Sequence, residues 1–266
     1  MLSGEHLARY RNDGFIVLPD FKSPNEVAAL RVRALEIVDA FDARGDASVF
    51  TTRNDSERTD AYFMESGEAV RCFLEEDGRT VNKIGHAMHD LDPIFDRFSR
   101  DARLAQIAPQ LGLRAPLLYQ SMYIFKQPRV GGEVDWHQDA AFFYTDPQSV
   151  TAFWFALEDA DRSNGCLWVQ PGGHRTPLRH RFIAENGRAR LHEIDATPWP
   201  SLDEAQAVEV RSGTLVVFDG MLPHYSASNR SPHSRHAYTL HAVDANARYS
   251  PANWLQRTTI PLRGFA

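Results

Sequence analysis

A histidine and an aspartate stand two residues apart in the stretch 133–144, as His137 and Asp139 of EVDWHQDAAFFY. Side-chain direction in an extended strand repeats every second residue, so both side chains would face one side. A neutral imidazole nitrogen and a hard carboxylate oxygen, without a thiolate, suit iron(II) better than structural zinc. The spacing alone is a weak signal because it arises by chance in many chains. A metal site here therefore requires a third ligand.

His224 is the strongest candidate for that third ligand. It follows the apolar run 214–219 and lies in the segment LPHYS, so we expect it at a strand end, where a barrel opens. Two histidines and one carboxylate on one side of a metal leave adjacent positions open, as in non-haem iron(II) oxygenases. Those positions are needed because a cosubstrate and dioxygen must both bind the iron.

Arg235 lies eleven residues after His224, at the start of the next expected strand. A hairpin of that length would bring its guanidinium into the barrel beside the metal. The planar guanidinium binds a carboxylate at two points, and a 2-oxo acid that chelates iron still has a far carboxylate in need of a cation. Taken alone, Arg235 would be interpreted as half of a surface ion pair. Next to the candidate ligands, it indicates a 2-oxo acid cosubstrate.

The first 115 residues are expected to be mainly helical. The segment Ser23-Pro24-Asn25-Glu26 predicts a helix start, because serine can cap, proline suits the first turn and glutamate can close a capping box. Gly14 is expected to end the first helix in the left-handed conformation. The predicted elements are helices over residues 2–12, 24–42, 84–98 and 101–111, and strands over 15–18 and 69–76.

Residues 44–67 are polar and aperiodic, with scattered aromatic side chains. One interpretation is a surface loop. The other is a lid over a substrate that uses Phe50, Tyr62 and Phe63, since functional residues concentrate on loops. The sequence leaves both interpretations open.

After Pro116 the sequence changes to short aromatic and β-branched runs, several of them separated by glycine-rich turns. Repeated short strands with turns between them are typical of a sandwich or barrel. The predicted strands cover residues 117–125, 150–157, 166–170, 206–210, 214–219 and 236–243. We therefore expect a mainly β protein with one domain over 1–266, helical to about 115 and a β-barrel over about 116–250.

Charge and composition narrow the class of protein. The 266 residues include 29 Lys and Arg against 35 Asp and Glu, a formal charge of −6, whereas a non-specific nucleic-acid binder usually has a basic excess. The two cysteines, Cys72 and Cys166, lack zinc-site spacing and fit free thiols in a reducing cytoplasm. No apolar run approaches the roughly 18 residues of a membrane span, and the N-terminus lacks the order of a signal peptide. We expect a cytoplasmic protein that acts on a small molecule, with no nucleic-acid or membrane partner; the sequence does not indicate its oligomeric state.

Several longer segments carry a family resemblance across nearly the whole chain. They are DGFIVL, NKIGHAMHDLDPIF, QSMYIFKQP, GGEVDWHQDAAF, EDADRSNGCLWVQPGGH, HYSASN, RHAYT and SPANWLQ. Together they resemble the phytanoyl-CoA dioxygenase family of iron(II)/2-oxoglutarate oxygenases, and especially the branch called phytanoyl-CoA dioxygenase domain-containing proteins. The resemblance implies a double-stranded β-helix, which is a jelly-roll or cupin-like barrel, with N-terminal helices outside.

The resemblance also implies roles for individual positions. The positions that match the iron ligands are His137, Asp139 and His224. Those that match the 2-oxoglutarate pocket are Arg235 for the far carboxylate, Ser226 for an assisting hydroxyl, and Lys83, Met122 and Trp154 for the lining. Without the resemblance, the last three would be interpreted as a solvated lysine and two core residues.

The reaction implied by the resemblance is oxidation of a small-molecule C–H bond with release of succinate and carbon dioxide. Iron(II), 2-oxoglutarate and dioxygen would be required. Because Asp139 is present, hydroxylation, desaturation or ring formation is favoured over chlorination, for which related halogenases replace that carboxylate by a small residue. Residues 44–66 and 175–201 are expected to shape the substrate pocket.

Two other classes of protein stay open. One is a 2-oxoglutarate-binding sensor or metal-binding module with little turnover, which would not release succinate when substrate is added. The other is a cupin-like isomerase or hydrolase with zinc at the same three residues, whose activity would not need oxygen.

The remaining histidines are weaker candidates. His86 and His89 are expected three residues apart on one helix, where a pair without a third ligand is more often structural. His174 follows a strand in the turn PGGH, a segment that resembles the family's PGSH with glycine for serine. The histidines assigned to packing or to the surface are His180, His192, His233, His236 and His241.

Overall fold

The structure is a computed structural model that describes residues 1–42, 47–49 and 57–265, with the backbone alone at 57 and 58. The α-helices in this range are α1 (Gly4–Asp13), α2 (Pro24–Asp39), α3 (Ala61–Met64), α4 (Met88–Leu91), α5 (Pro93–Ser99) and α6 (Ala102–Gln110). The strands are β1 (Phe15–Leu18), β2 (Ser48–Val49), β3 (Glu57–Arg58), β4 (Val70–Leu74), β5 (Val81–His86), β6 (Pro116–Ile124), β7 (Val134–His137), β8 (Thr145–Asp146), β9 (Thr151–Ala156), β10 (Leu167–Val169), β11 (His180–Glu185), β12 (Arg188–Glu193), β13 (Gln206–Val208), β14 (Leu215–Asp219), β15 (His224–Ser226), β16 (Ala237–Asp244) and β17 (Arg248–Tyr249).

The N-terminal helices are defined by their caps. At α2 the Ser23 hydroxyl accepts a hydrogen bond from the Glu26 N–H at 3.3 Å, and the Glu26 carboxylate accepts one from the Ser23 N–H at 2.9 Å. The helix α1 ends at Gly14, whose φ of 84° is left-handed. The predicted capping box and the predicted glycine end are both confirmed. No helix of the described residues has the length and apolar character needed to cross a bilayer.

A large sheet lies against these helices. Its strand order is β1-β14-β9-β16-β6-β5-β4-β2, antiparallel except where β2 pairs with β4. Along β16, Tyr238 and Leu240 pack in the core that the helices cover, while Thr239 and His241 line a cavity on the opposite face. The first 115 residues therefore contribute strands to this sheet as well as helices outside it.

A second sheet, in the order β13-β10-β15-β7, faces the first. Leu167 and Val169 of β10 share an apolar cluster with Trp154 and Val216 of the large sheet. Two antiparallel sheets closed over one interior, with helices on the outside, confirm the predicted mainly β jelly-roll fold.

The helix predicted over residues 84–98 is wrong in its first part. Residues 81–86 form β5, which pairs on both sides, with β4 through Cys72 and Ile84 and with β6 through Ile84 and Tyr123. Helical structure begins only at α4 and restarts at α5, where the Asp92 carboxylate accepts from the N–H groups of Ile94 and Phe95. Pairing with two neighbouring strands outweighs the local helical pattern of this segment.

A hairpin of β11 and β12, with β3 added at its edge, was not predicted. Its two-residue turn is Asn186-Gly187, with φ values of 53° and 75°. Positive φ at both positions is the type I′ geometry, for which Asn-Gly is the preferred sequence. The sequence therefore contained a turn signal for this hairpin.

Replacing Ser23 by alanine should lower the free energy of unfolding by about 1 kcal/mol, because the Glu26 N–H at the start of α2 loses its acceptor. Chemical denaturation monitored by circular dichroism measures the change. Ser201→Ala is the matched control, since Ser201 closes the same capping box on a single 3₁₀ turn, Leu202–Glu204. Equal losses for both variants would contradict the assignment of this stability to α2.

Candidate metal and cosubstrate site

The pairing of β7 with β15 brings the three predicted metal ligands together. His137 and His224 are directly opposite each other in the register of these antiparallel strands, and Asp139 begins the 3₁₀ turn Asp139–Ala141 after β7. The Nε2 atoms of both histidines lie 3.7 Å from Oδ1 of Asp139. Among the described residues these three form the one group of histidine, cysteine or carboxylate side chains with metal-site spacing.

Each histidine has its other ring nitrogen fixed by a backbone carbonyl. Nδ1 of His137 donates to the Asp135 carbonyl at 2.8 Å, and Nδ1 of His224 donates to the Leu222 carbonyl at 3.0 Å. The Nε2 lone pairs are thereby turned toward Asp139. This is the tautomer and the second contact typical of metal-binding histidines.

The protonation states also suit a metal. Burial, followed by the proximity of His224, lowers the pKa of His137 to about 3. Burial opposes ionisation of Asp139, but the nearby imidazoles of His241 and His224 outweigh it and hold the pKa of that carboxyl below its ordinary value. A neutral imidazole and an ionised carboxylate are the forms that bind a metal ion.

His241 is a site residue that sequence reasoning assigned only to packing or the surface. It is buried in β16, where its ring stacks on Phe143, and its Nε2 lies 3.2 Å from Oδ2 of Asp139. Oδ1 of the carboxylate thus faces the two ligand histidines, and Oδ2 faces His241. A histidine at an inward position of a mostly apolar strand was the available signal.

Arg235 is buried immediately before β16, with 2% of its surface exposed. Nε donates to the Gly165 carbonyl at 3.0 Å and Nη2 donates to the Ser226 hydroxyl at 3.2 Å, while Nη1 has no hydrogen-bond partner in the described chain. Burial lowers the pKa of Arg235 to about 10, so the group is a cation at neutral pH. A buried guanidinium with an unused donor fits a carboxylate ligand.

One cavity of about 390 Å³ connects the metal-binding residues with Arg235. All eight predicted site residues line it: His137, Asp139, His224, Arg235, Ser226, Lys83, Met122 and Trp154. Lys83 is buried, and its ammonium lies 5.4 Å from the centre of the Phe73 ring, so it is not a solvated lysine. The guanidinium of Arg235 lies 5.7 Å from the centre of the Trp154 ring.

Part of the cavity lining is an aromatic wall. Phe63 stacks on Trp254 with 4.5 Å between ring centres, and Phe142 lies 5.5 Å from Phe182. All four line the cavity. Apolar and aromatic walls with few polar groups are typical of small-molecule pockets.

The aromatic residues predicted for a lid differ in where their side chains lie. Phe63, in α3, lines the cavity, whereas the Tyr62 hydroxyl donates to the Cys72 carbonyl at 2.9 Å and its ring contacts Phe73. Phe50 lies outside the described residues. Within 175–201, the hairpin β11–β12 contributes Phe182 to the wall.

His86 and His89 do not share a helix. His86 ends β5, and its Nδ1 lies 2.8 Å from the Ser66 hydroxyl. His89 is in α4, with Nδ1 2.9 Å from the Ser121 hydroxyl and Nε2 3.1 Å from Asp90. Each ring is therefore held by its own neighbours, as expected for structural histidines.

Comparison with known proteins identifies the family. The model of the phytanoyl-CoA dioxygenase (PhyH) family matches residues 10–237. The chain belongs to the phytanoyl-CoA dioxygenase family. It is 43% identical to phytanoyl-CoA dioxygenase 1 of Oryza sativa subsp. japonica, over 98% of this chain and 96% of that protein. It is 39% identical to phytanoyl-CoA dioxygenase domain-containing protein 1 of Mus musculus, over 97% and 96%.

Solved structures agree with the fold. The crystal structure of EctD from S. alaskensis with 2-oxoglutarate and 5-hydroxyectoine has a TM-score of 0.71 at 24% identity, covering 98% of this chain and 85% of that one. The α-ketoglutarate-dependent carbocyclase SnoK from nogalamycin biosynthesis has a TM-score of 0.67 at 22% identity, covering 98% and 96%. As a phytanoyl-CoA dioxygenase family member, the chain is an iron(II)- and 2-oxoglutarate-dependent dioxygenase.

Replacing His241 by phenylalanine should weaken binding of a divalent metal roughly 10- to 100-fold, because Oδ2 of Asp139 loses the group that orients it. Isothermal titration with Mn(II) under anaerobic conditions measures the dissociation constant without turnover. His241→Gln, whose side-chain N–H group could donate to Oδ2, should retain more affinity. His180→Gln, in a histidine that lines the cavity elsewhere, is the control. Wild-type affinity in His241→Phe would refute the role of this contact.

Proposed function

We propose that this dioxygenase oxidises a C–H bond of a small molecule, in the simplest case by hydroxylation, while 2-oxoglutarate is converted to succinate and carbon dioxide. The observation that carries the proposal is the shared cavity, which is lined by the metal-binding residues, a buried guanidinium and an aromatic wall. Bound iron(II), with 2-oxoglutarate and dioxygen, supplies the oxidising chemistry. The protein would position the metal, the cosubstrate and the substrate, and it would exclude water from the reacting atoms.

In this proposal Nε2 of His137, Nε2 of His224 and Oδ1 of Asp139 would hold the iron. All three ligand residues line the cavity, through which the cosubstrate and the substrate would approach. The donor set of two neutral nitrogens and one carboxylate oxygen is the one that iron(II) oxygenases use. Retention of Asp139 favours hydroxylation, desaturation or ring formation over chlorination.

Arg235 would bind the far carboxylate of 2-oxoglutarate. The unpartnered Nη1 supports this assignment, since a carboxylate would give it an acceptor. The Ser226 hydroxyl donates to the Gly165 carbonyl at 2.8 Å and accepts from Nη2 of Arg235, so Ser226 would act by holding the guanidinium in place. Trp154 and Met122 would form the apolar sides of the same pocket, and Lys83 a cation near its edge.

The aromatic wall would bind the substrate. On the hairpin β11–β12, Phe182 and Leu191 line the cavity, whereas Arg188 and Arg190 are exposed to solvent. Because side chains alternate along a strand, the hairpin presents its apolar face to the reaction and its basic face to solvent. An enclosed aromatic surface beside the metal would also keep water from the reacting atoms.

Screening small metabolites with iron(II), 2-oxoglutarate and ascorbate tests the reaction. A substrate should raise the rate of succinate formation and appear in the products with altered mass. The same assay without oxygen should give no succinate. A protein that binds 2-oxoglutarate tightly but releases succinate with none of the compounds would instead be a sensor.

Arg235→Ala should raise the 2-oxoglutarate concentration for half-maximal succinate formation on the order of 100-fold, because the far carboxylate loses its charged partner. The concentration dependence of succinate release measures this effect. Arg179→Ala is the control, since Arg179 is equally buried but donates to the Thr197 and Pro198 carbonyls and does not line the cavity. An unchanged requirement in Arg235→Ala would remove the main support for the cosubstrate pocket.

A further inference from the structure

His180, the first residue of β11, lines the cavity but is not one of the metal-binding residues. The sequence predicted packing or a surface position for it. Phe182 lies two residues further along the same strand, and Leu191 of β12 is opposite Phe182 in the strand register. All three residues line the cavity. Because side chains alternate along a strand, they share the face of the hairpin that borders the cavity.

A neighbouring tryptophan orients the His180 ring. The ring centres of His180 and Trp199 are 5.7 Å apart, and their planes are inclined by only 15°. Trp199 is half-buried and lines the same cavity. The imidazole is therefore held by stacking, and its position does not depend on a hydrogen bond.

The ring nitrogens of His180 are available to a ligand. Neither nitrogen has a hydrogen-bond partner among the described residues, and Glu193, opposite His180 in the strand register, is exposed and forms no ion pair with it there. Burial lowers the pKa of His180, so the ring is neutral at neutral pH. A neutral imidazole offers one N–H donor and one acceptor nitrogen.

A row of ring contacts connects the metal-binding residues with the strand that carries His180. The ring centres of His137 and Phe142 are 6.2 Å apart, and Phe142 lies 5.5 Å from Phe182. His180 is one further step along β11, about 7 Å at the usual spacing of alternate strand residues. A substrate that lies along this row would have one end at the metal and the other end at His180.

The cavity surface along this row is apolar. The four residues of the aromatic wall and Leu191 of the hairpin carry no charge. An ionised group of a substrate would lose its hydration here without gaining an ionic partner. A hydroxyl or carbonyl group, by contrast, would find in His180 an acceptor or a donor.

We propose that His180 is a specificity-determining residue that binds an uncharged hydroxyl or carbonyl group of the substrate. The substrate class that fits is a molecule with an apolar body and one such group, oxidised at a carbon remote from that group. This assignment rests on the proposed function, in which the C–H bond is oxidised at the metal site. Trp199 would act through His180, by orienting the imidazole.

A packing role for His180 is the competing explanation, since its stacking on Trp199 also closes the cavity lining. Loss of packing would weaken the binding of every apolar compound. Loss of a hydrogen bond would weaken only compounds that have the hydroxyl or carbonyl group. His180→Phe removes the polar atoms but keeps a ring that can stack, and His180→Gln keeps a donor and an acceptor.

The test uses four probes with the same phenylbutyl body: 4-phenylbutan-1-ol, butylbenzene, 4-phenylbutyrate and 4-phenylbutylamine. Dissociation constants are measured by tryptophan fluorescence, because Trp199 and Trp254 line the cavity. The full chain is loaded with Mn(II) and 2-oxoglutarate without oxygen, so no turnover occurs. His192→Phe is the matched control, since His192 lies on the other strand of the same hairpin and is exposed to solvent.

Wild-type protein should bind the alcohol more tightly than butylbenzene or either ionised probe. His180→Phe should weaken binding of the alcohol about three- to tenfold, the loss typical of one hydrogen bond between uncharged groups, and leave butylbenzene unchanged. His180→Gln should recover part of that loss, and His192→Phe should leave every constant unchanged. No binding of the alcohol by wild-type protein, tighter binding of an ionised probe, or no selective loss in His180→Phe would overturn the assignment.

Proton relaxation of the bound alcohol tests its orientation. Relaxation caused by Mn(II) falls steeply with distance from the ion, and protein loaded with Zn(II) gives the diamagnetic reference. Protons of the phenyl ring should relax faster than those beside the hydroxyl. The reverse order would contradict the placement of the hydroxyl at His180.

The metabolite screen separates failure of this inference from failure of the proposed function. If charged compounds release succinate while the alcohol does not bind, only the substrate class is wrong. If the alcohol binds through His180 but no compound in the screen leads to succinate, the binding site stands and the proposed reaction is wrong.

Discussion

The register between β7 and β15 is the constraint on which the site depends. It sets His137 opposite His224, and the turn after β7 then places Asp139 beside both rings. A shift of either strand by one residue would turn its ligand to the other face of the sheet. The register is fixed from outside the site as well, because β15 also pairs with β10 through Ser226 and Leu167, and Trp136 stacks on Tyr225 across the pair.

The second constraint is the charge enclosed by the barrel. Asp139 and Arg235 are both buried, and among the described residues Oδ2 of Asp139 and Nη1 of Arg235 have no hydrogen-bond partner. Buried charges without partners cost stability. A metal ion beside Asp139 and an anion beside Arg235 would each offset part of that cost, so the ligands that the proposed reaction needs would also stabilise the fold. The metal ion and the cosubstrate would therefore supply the partners that these buried charged groups lack within the chain.

The features that could be predicted from the sequence are those that depend on residues close together in the chain. Caps at Ser23 and Gly14, the runs that became β6, β9 and β14, and the spacing of His137 and Asp139 are all set within a few residues. The contact between His241 and Asp139 joins segments about a hundred residues apart, and no spacing rule reveals it. β5 was missed because pairing with two neighbours overrides local helical preference.

Both sheets contribute residues to the site, so the site forms only when the two sheets pack together as a barrel. The small sheet supplies both ligand histidines from β7 and β15, whereas β16 of the large sheet supplies His241, and Lys83, Met122 and Trp154 lie on β5, β6 and β9. Asp139 contacts residues of both sheets. Its Oδ1 lies near the two ligand histidines of the small sheet, and its Oδ2 lies near His241 of the large sheet. A relative movement of the sheets would pull the two oxygens in different directions. Packing of the apolar layer around Trp154 and Leu167 therefore controls the geometry of the metal site as well as the stability of the fold.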